Sequence, residues 1–162
     1  MFNYKCNITP QDTNGKVIFW DIDGTLAPYR FDGGVSDVPF FFENYCPFVE
    51  EHYLRYRHPS RFMQKLLPTC DAKEHIICGH YRHQTEIDDK EIWTDMNFPY
   101  IKRRLFVYMD DSKADAIIKF CSENDIDLED VIFVDDVASI LKDAEGKGIE
   151  SWHISSFMDW FM

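Results

Sequence analysis

The sequence lacks the features that mark secreted, disulfide-framed or membrane-spanning proteins. Its five cysteines are scattered and include no C-x-x-C pair, which predicts free thiols in a reducing compartment rather than a disulfide frame or a zinc site. No apolar run approaches the roughly 18 residues that a membrane span requires, and residues 1–6 lack the apolar core of a signal peptide. We therefore expect a cytoplasmic protein with no membrane partner.

Basic residues are also scarce, and this bounds the classes of partner. Seventeen Lys and Arg face 29 Asp and Glu, which gives a formal net charge of −12. Because duplex binding depends largely on neutralising phosphates with basic side chains, nucleic acid is excluded as a default partner. Any phosphorylated substrate must be held by local positive charge or by a metal ion.

The length and patterning predict a single α/β domain over residues 1–162, without internal repeats or linkers. Strands are predicted at about 16–20, 75–79, 104–109, 131–134 and 150–154, and helices at about 60–67, 84–96, 113–123 and 137–145. Strands that alternate with helices predict a mainly parallel sheet covered on both faces. In such folds ligands bind beyond the carboxyl ends of the strands.

The stretch at about 27–60 interrupts this alternation with prolines, glycines and many aromatic residues. A short helix is predicted at about 47–56. The basic residues Arg55, Arg57, His58 and Arg61 support two interpretations: a helix face that covers the core, or a small flap that presents cations to an anionic substrate. The aromatic tail at 155–161 is expected to pack on the sheet, with a dimer contact as the alternative.

Two acids follow the first strand directly in Val17-Ile18-Phe19-Trp20-Asp21-Ile22-Asp23-Gly24-Thr25-Leu26. Side chains two apart on an extended chain point to the same side, so Asp21 and Asp23 are expected to share one space. Facing carboxylates repel unless a proton or a cation lies between them, and hard oxygen ligands suit Mg²⁺. Gly24 permits a sharp turn and close approach by a ligand.

A second acidic pair, Asp135-Asp136, follows the apolar segment that ends at Val134. One of these acids could cap the next helix, where the helix dipole favours a negative charge. Alternatively, both lie at the same sheet edge as the first pair. Four converging carboxylates would require a cation.

The strings D-I-D-G-T-L and V-I-F-V-D-D-V-A-S-I resemble the first and last motifs of the haloacid dehalogenase-like phosphohydrolase superfamily. The resemblance covers about residues 16–154. It implies a Rossmann-like three-layer α/β/α fold with a reduced cap at about 27–60. It also implies a Mg²⁺-dependent phosphomonoester hydrolase that acts through an aspartyl-phosphate intermediate.

Specific roles follow from this resemblance. Asp21 would attack phosphorus, and Asp23 would protonate the leaving alcohol and then activate water. Asp21, the Asp23 carbonyl and Asp136 would hold the metal, with Asp135 as a further ligand or as a partner of a ligand. Lys113 matches the lysine that steadies the nucleophile and the phosphoryl group. Its position in the first turn of a helix is locally unfavourable, which suggests a nearby anion, although an exposed surface lysine is the alternative.

The predicted phosphate contacts include Gly24 and Thr25 of the first motif and residues near the end of the second strand. Superfamily members have Ser or Thr there, whereas this chain has Cys78-Gly79. A buried structural cysteine is the main alternative for Cys78, and an independent thiol nucleophile is the other.

His80 and Arg82 follow, as solvated loop residues or as further phosphate contacts; His80 and His83 lack a third metal ligand at a convincing spacing. A second departure is Ile140, where the superfamily commonly has Asp or Asn. The expected substrate is a small phosphorylated metabolite, with nucleotides among the candidates, and the expected assembly is a monomer or homodimer. The alternatives are a non-catalytic metal- or phosphate-binding module and a protein-interaction domain.

Overall fold

A parallel five-stranded sheet forms the centre of the computed structural model, which describes residues 5–28, 31–32, 35–36 and 52–162. The strands are β1 Val17–Trp20, β2 Phe31–Asp32, β3 Val35–Ser36, β4 Glu74–Tyr81, β5 Arg103–Tyr108, β6 Val131–Asp135 and β7 Glu150–His153. The α-helices are α1 Arg61–Leu66, α2 Gln84–Asn97, α3 Lys113–Glu123 and α4 Ala138–Gly146. Short 3-10 helices span Pro10–Thr13, Tyr53–Tyr56, Leu67–Thr69, Leu128–Asp130 and Ile154–Phe157.

The central strand β1 is buried along its whole length. Its side chains alternate between two apolar layers, as the pleat of a strand requires. Ile18 and Trp20 pack in the layer that contains Phe157, whereas Val17 and Phe19 pack in the opposite layer. The predicted α/β fold with a mainly parallel sheet is therefore confirmed, and helices cover both of its faces.

The strand order is β5-β4-β1-β6-β7. The chain runs outward from β1 to β4 and β5 on one side, and then crosses back to place β6 and β7 on the other side. Trp20 lies opposite Ile77 on β4 and opposite Val134 on β6. The carboxyl ends of β1 and β6 thus lie side by side where the strand order reverses, which is where open α/β sheets form their ligand crevice.

One predicted strand end was wrong. The apolar pattern predicts that the second strand of the sheet ends at Gly79, but β4 continues to Tyr81. The reason is pairing with the neighbouring strand, since the register with β5 runs on through His80 to the pair Tyr81–Tyr108. The predicted helix over 60–67 is confirmed as α1, with the Ser60 hydroxyl accepting from the Met63 N–H at 3.2 Å.

The segment before α1 differs from the predicted helix, whereas the tail after β7 packs on the sheet as expected. The described end of the helix predicted at 47–56 is the 3-10 helix Tyr53–Tyr56, and the remainder lies outside the described residues. The tail forms the 3-10 helix Ile154–Phe157, and its Phe157 and Trp160 are buried against the sheet. Trp160 donates from Nε1 to Thr69 Oγ1 at 2.7 Å.

Two further sequence expectations can be compared with the described residues. Within them Cys70, Cys78 and Cys121 are free thiols. None of the described helices combines the length and apolar character that a membrane crossing demands.

His75 on β4 should make the fold sensitive to mild acid. Trp20 Nε1 donates to His75 Nδ1 at 3.0 Å, and burial lowers the pKa of His75 from 6.5 to about 4. The folded state therefore takes up a proton on His75 less readily than the unfolded state. The contribution of neutral His75 to the free energy of unfolding is complete above pH 6.5 and is lost as the pH falls from 6.5 towards 4. When the pH is lowered from 7.5 to about 4.5, the urea midpoint should fall further for the wild type than for His75→Gln. An equal fall in both proteins would contradict this assignment.

Candidate active site

The loop after β1 brings Asp21 into a buried position at the sheet edge. Its backbone N–H donates to the Val134 carbonyl of β6 at 2.9 Å, which extends the pairing of the two strands by one residue. The Asp21 residue is 4% exposed. Gly24 has φ +85°, and its N–H donates to the Ala27 carbonyl at 2.9 Å, which closes the turn. Thr25 Oγ1 donates to Asp21 Oδ2 at 3.4 Å, so Thr25 supports the carboxylate directly.

Lys113 links the two predicted acidic motifs. Its Nζ lies 2.6 Å from Asp21 Oδ1 and 2.8 Å from Asp135 Oδ2. Lys113 is only 3% exposed, so the alternative of a surface lysine is wrong. The start of α3 is set locally by Ser112, whose hydroxyl accepts from the Asp115 N–H at 3.2 Å. The helix start thus places an ammonium between acids that come from two neighbouring strands.

Asp135 and Asp136 have different surroundings. Asp135 is fully buried, and its two oxygens accept from Lys113 and, at 2.8 Å, from the Val137 N–H ahead of α4. The helix-capping interpretation therefore holds in part for Asp135. Asp136 is partly exposed, and its backbone carbonyl lies 3.0 Å from His153 Nε2.

Three carboxylates form a donor set that fits a hard cation. Asp21, Asp135 and Asp136 each offer an oxygen, and these atoms lie within 4.8 Å of one another. The Asp136 carboxylate occupies space that only glycine at position 24 leaves open, because a Cβ there would lie 2.1 Å from Asp136 Oδ2. Oxygen donors at this spacing suit Mg²⁺.

The charge balance also favours a cation. Burial raises the pKa of Asp21 above its usual range; Lys113 opposes this effect, and the neighbouring Asp135 and Asp23 carboxylates reinforce it. Burial together with the Asp135 charge raises the pKa of Asp136 to about 6. Excess negative charge of this kind is relieved by a proton or a metal ion.

Asp23 has a different electrostatic environment from Asp21. Arg57 Nη1 donates to its Oδ1, and Lys90 Nζ donates to its Oδ2 at 2.8 Å. Burial would raise the pKa of Asp23, but Lys90 and Arg57 together lower it to about 2. Lys90 was not predicted as a site residue, and Arg57 appeared only within the basic patch. Their contacts with Asp23 arise from chain folding, and no local motif signals them.

The residues predicted near the end of the second strand are separated by the structure. Cys78 lies inside β4 in the apolar core, and burial raises the pKa of its thiol to about 12. The thiol-nucleophile alternative is therefore wrong, because the sulfur stays protonated and buried. Gly79 is also inside β4, packed near the Phe106 ring. Arg82 is exposed and is not among the residues that line the cavity over the acidic cluster; its backbone N–H donates to Glu86 Oε1 at 2.8 Å.

His80 is the residue of this group that reaches the site. Its Nε2 lies 3.2 Å from the Asp111 carbonyl, and burial together with Lys113 lowers its pKa. His80 and His83 belong to no metal-binding cluster in the described part of the chain, where the acidic set above is the cluster found.

A cavity of about 590 Å³ opens over these groups. Its lining includes Asp21, Asp23, Asp135, Asp136 and Lys113, together with Asp111, His80, Ser139, Met109, Val137 and Ile140. The structure thus brings together the first motif, the last motif and Lys113, as predicted. Ile140, the departure noted in the sequence, contributes an apolar wall beside the acidic cluster.

Comparison with solved structures identifies the fold. The chain resembles a haloacid dehalogenase-like family hydrolase from Streptococcus pneumoniae, with TM-score 0.60, 14% identity and 91% of each chain covered. It also resembles an enzyme of the same family from Bacteroides thetaiotaomicron, an Asp-to-Ala mutant in complex with magnesium and inorganic phosphate, with TM-score 0.55 and 12% identity over 86% of this chain and 93% of that one. The haloacid dehalogenase-like fold implied by the sequence motifs is therefore confirmed.

A third similar structure is the N-terminal part of a Bacteroides fragilis protein that contains a phosphatase domain complexed with Mg. Its TM-score is 0.49 at 17% identity, and the match covers 88% of this chain but spans only 36% of that one. No protein-family profile matches the sequence, and no curated protein matches it.

Gly24→Ala should disrupt the acidic cluster specifically. The new Cβ would collide with the Asp136 carboxylate, in addition to the cost of about 1 kcal/mol for a non-glycine residue at positive φ. Gly148→Ala is the matched control, since Gly148 has φ +87° and a Cβ there would meet nothing within 4 Å. We expect Mg²⁺ to raise the melting temperature of Gly148→Ala but not that of Gly24→Ala. A full Mg²⁺ response in Gly24→Ala would refute the cluster as the metal site.

Proposed function

We propose that this protein is a Mg²⁺-dependent phosphomonoester hydrolase that uses Asp21 as its nucleophile. The observation that carries this proposal is the buried Asp21 carboxylate, held by Lys113 and gathered with Asp135 and Asp136 beneath an open cavity. The magnesium and inorganic phosphate bound by the structurally similar B. thetaiotaomicron enzyme support the same chemistry here.

The residues suited to hold the metal are Asp21, Asp136 and the backbone carbonyl of Asp23. When bound, Mg²⁺ would neutralise charge on the phosphoryl oxygens and favour attack by an anion. Asp135 is less suited to direct ligation, because both of its oxygens already accept short hydrogen bonds of 2.8 Å, whereas the bond from Thr25 to Asp21 Oδ2 is 3.4 Å long. Its role is to hold Lys113 in place beside Asp21.

The chain's own groups account for the bond changes. An Asp21 oxygen forms a bond to phosphorus as the bond to the leaving oxygen breaks, which gives an aspartyl-phosphate. Because Lys90 and Arg57 lower the pKa of Asp23 to about 2, Asp23 must first take up a proton from solvent, which it then passes to the leaving oxygen. A water molecule then attacks the phosphorus, Asp23 takes its proton, and Asp21 departs as a carboxylate. The lowered pKa of Asp23 favours the ionised form that this second step requires.

The cavity lining supports a small substrate with little additional negative charge. Lys113 is the only Lys or Arg among the described lining residues, and it is already paired with two aspartates. Met109, Val137 and Ile140 contribute apolar surface. A small monophosphate ester, nucleoside monophosphates included, suits these walls better than a polyanionic di- or triphosphate.

We also propose that the chain works as one domain with a reduced cap at about 27–60 and that it resides in the cytoplasm. The antiparallel pair β2–β3, which lies within this segment, supports that proposal. The free thiols of the described residues suit a reducing compartment.

The central test replaces the nucleophile. Purified wild type should release phosphate from p-nitrophenyl phosphate with Mg²⁺ and lose this activity in EDTA, and Asp21→Asn should lower kcat by at least about 100-fold. Asp88→Asn, an exposed acid on α2, serves as the matched control and should retain wild-type turnover. Equal inactivity of wild type and Asp21→Asn across a panel of phosphomonoesters would refute the enzyme proposal.

A non-catalytic metal- or phosphate-binding module is the second candidate. Two observations favour it: both Asp23 oxygens are engaged by cations, and a core cysteine stands at Cys78, near the predicted phosphate-binding strand end. This alternative requires that Mg²⁺ and phosphate raise the melting temperature without turnover. Steady hydrolysis by the wild type would eliminate it.

Ile140 offers a test of metal affinity. It lines the cavity near Asp136, so an acid there would add a hard donor for the metal. Ile140→Asp should lower the Mg²⁺ concentration that gives half-maximal activity by about threefold or more, with Ile140→Asn as the uncharged control. An unchanged or higher Mg²⁺ requirement in Ile140→Asp would show that position 140 does not reach the metal.

A further inference from the structure

Two buried cations outside the motifs converge on Asp23. Lys90 lies in the middle of α2, Arg57 follows the 3-10 helix Tyr53–Tyr56, and each side chain is only 3% exposed. Neither residue lines the cavity. Their charges are therefore not placed for direct contact with a substrate. We refer to Asp23, Arg57 and Lys90 together as the Asp23 clamp.

Lys90 connects Asp23 to the neighbouring strand. Its Nζ donates to Asp23 Oδ2 at 2.8 Å and to the His80 carbonyl near the end of β4 at 2.7 Å. Glu86 Oε2 lies 4.0 Å away, one turn earlier on the same helix. A buried ammonium is costly unless it is paired and hydrogen-bonded, and Asp23 and the His80 carbonyl accept its hydrogen bonds while Glu86 adds a second nearby negative charge. The position of Asp23 is thus tied to both α2 and β4.

Arg57 connects Asp23 to its own loop. Nη1 donates to Asp23 Oδ1, while Nη2 donates to the Ala27 carbonyl at 2.8 Å and approaches the Pro28 carbonyl at 3.4 Å. The Arg57 backbone is itself held, because Trp93 Nε1 donates to its carbonyl at 2.8 Å. The guanidinium therefore bridges the start and the end of the turn that follows β1.

We propose that Lys90 and Arg57 are positioning residues that hold the Asp23 carboxylate in its working orientation. This inference rests on the proposed function, in which Asp23 transfers protons. One cation holds each oxygen, so rotation of the carboxylate away from the leaving group or the attacking water is opposed on both sides. Precise placement of a proton-transfer group is worth orders of magnitude in rate, which gives the clamp a catalytic purpose.

A second ion pair between the same two parts of the chain provides a contrast. Asp89 on α2 is fully buried. It accepts a hydrogen bond from Arg55 Nε at 2.5 Å, and His52 Nδ1 lies 3.0 Å from the same carboxylate. This group also joins the segment before α1 to α2, but it does not contact Asp23. A substitution in this group therefore serves as a control, because it weakens the attachment of the segment before α1 to α2 without removing a contact to Asp23.

The experiment compares Lys90→Met and Arg57→Met with Arg55→Met, using p-nitrophenyl phosphate and saturating Mg²⁺. Each clamp variant should lose about 10-fold or more in kcat with KM within about twofold of wild type, because the clamp acts on proton transfer and not on binding. Arg55→Met should keep kcat within about twofold, even if its melting temperature falls. Should a methionine variant fail to fold, Lys90→Gln and Arg57→Gln replace it.

A double-mutant cycle with Asp23→Asn tests whether the clamp acts through Asp23. In that background Lys90→Met should cost less than about twofold in kcat, because the group it positions has already been removed. Independent, multiplicative losses would overturn the proposal, as would a rise in KM at constant kcat or wild-type kcat in both clamp variants. An active wild type with unaffected clamp variants refutes the clamp alone. An inert wild type refutes the proposed function and the clamp with it.

Discussion

The structure depends on the meeting of several buried carboxylates at one edge of a parallel sheet. Asp21 from the end of β1 and Asp135 from the end of β6 share the single ammonium of Lys113. The single positive charge of Lys113 does not balance the negative charges of Asp21, Asp135 and Asp136. Their mutual repulsion is tolerable only if protons or a cation compensate. The strand order that places β1 beside β6 therefore creates both the repulsion between the carboxylates and the site.

Asp21 and Asp23 show how far the surroundings can separate two acids of the same type. Asp21 lies among other carboxylates with one lysine, and burial raises its pKa. Asp23 lies between Arg57 and Lys90, which lower its pKa to about 2. Two acids in opposite environments are suited to different chemical tasks. The tertiary environment assigns these tasks, since the residue type is identical.

The departures from the superfamily pattern have structural counterparts. Cys78 fills the core layer beside β1, where a small apolar group packs well and a reactive thiol would not be stable as an anion. Ile140 lies on the cavity wall, so the missing acid is replaced by apolar surface and not by another polar group. Both changes leave fewer polar side chains around the acidic cluster than the superfamily pattern would provide.

The sequence by itself determined the alternating α/β architecture and the two acidic strand ends, and the resemblance to the haloacid dehalogenase-like motifs implied the place of Lys113 beside them. Local signals sufficed for the acids: the apolar runs at β1 and β6 and the acids placed directly after them. Side-chain direction along a strand and the common edge of parallel strands then bring these groups together without further information. The capping residues and the apolar patterning also predicted where the helices begin and end.

Only the tertiary structure determined the clamp on Asp23 and the full length of β4. Arg57 and Lys90 are 34 and 67 residues from Asp23 along the chain, so no local pattern relates them to it. The last residues of β4 pair because β5 lies beside them, although the apolar pattern has already ended. Periodicity and spacing report on neighbours along the chain. Long-range ion pairs and strand partners depend instead on how separate segments pack in space.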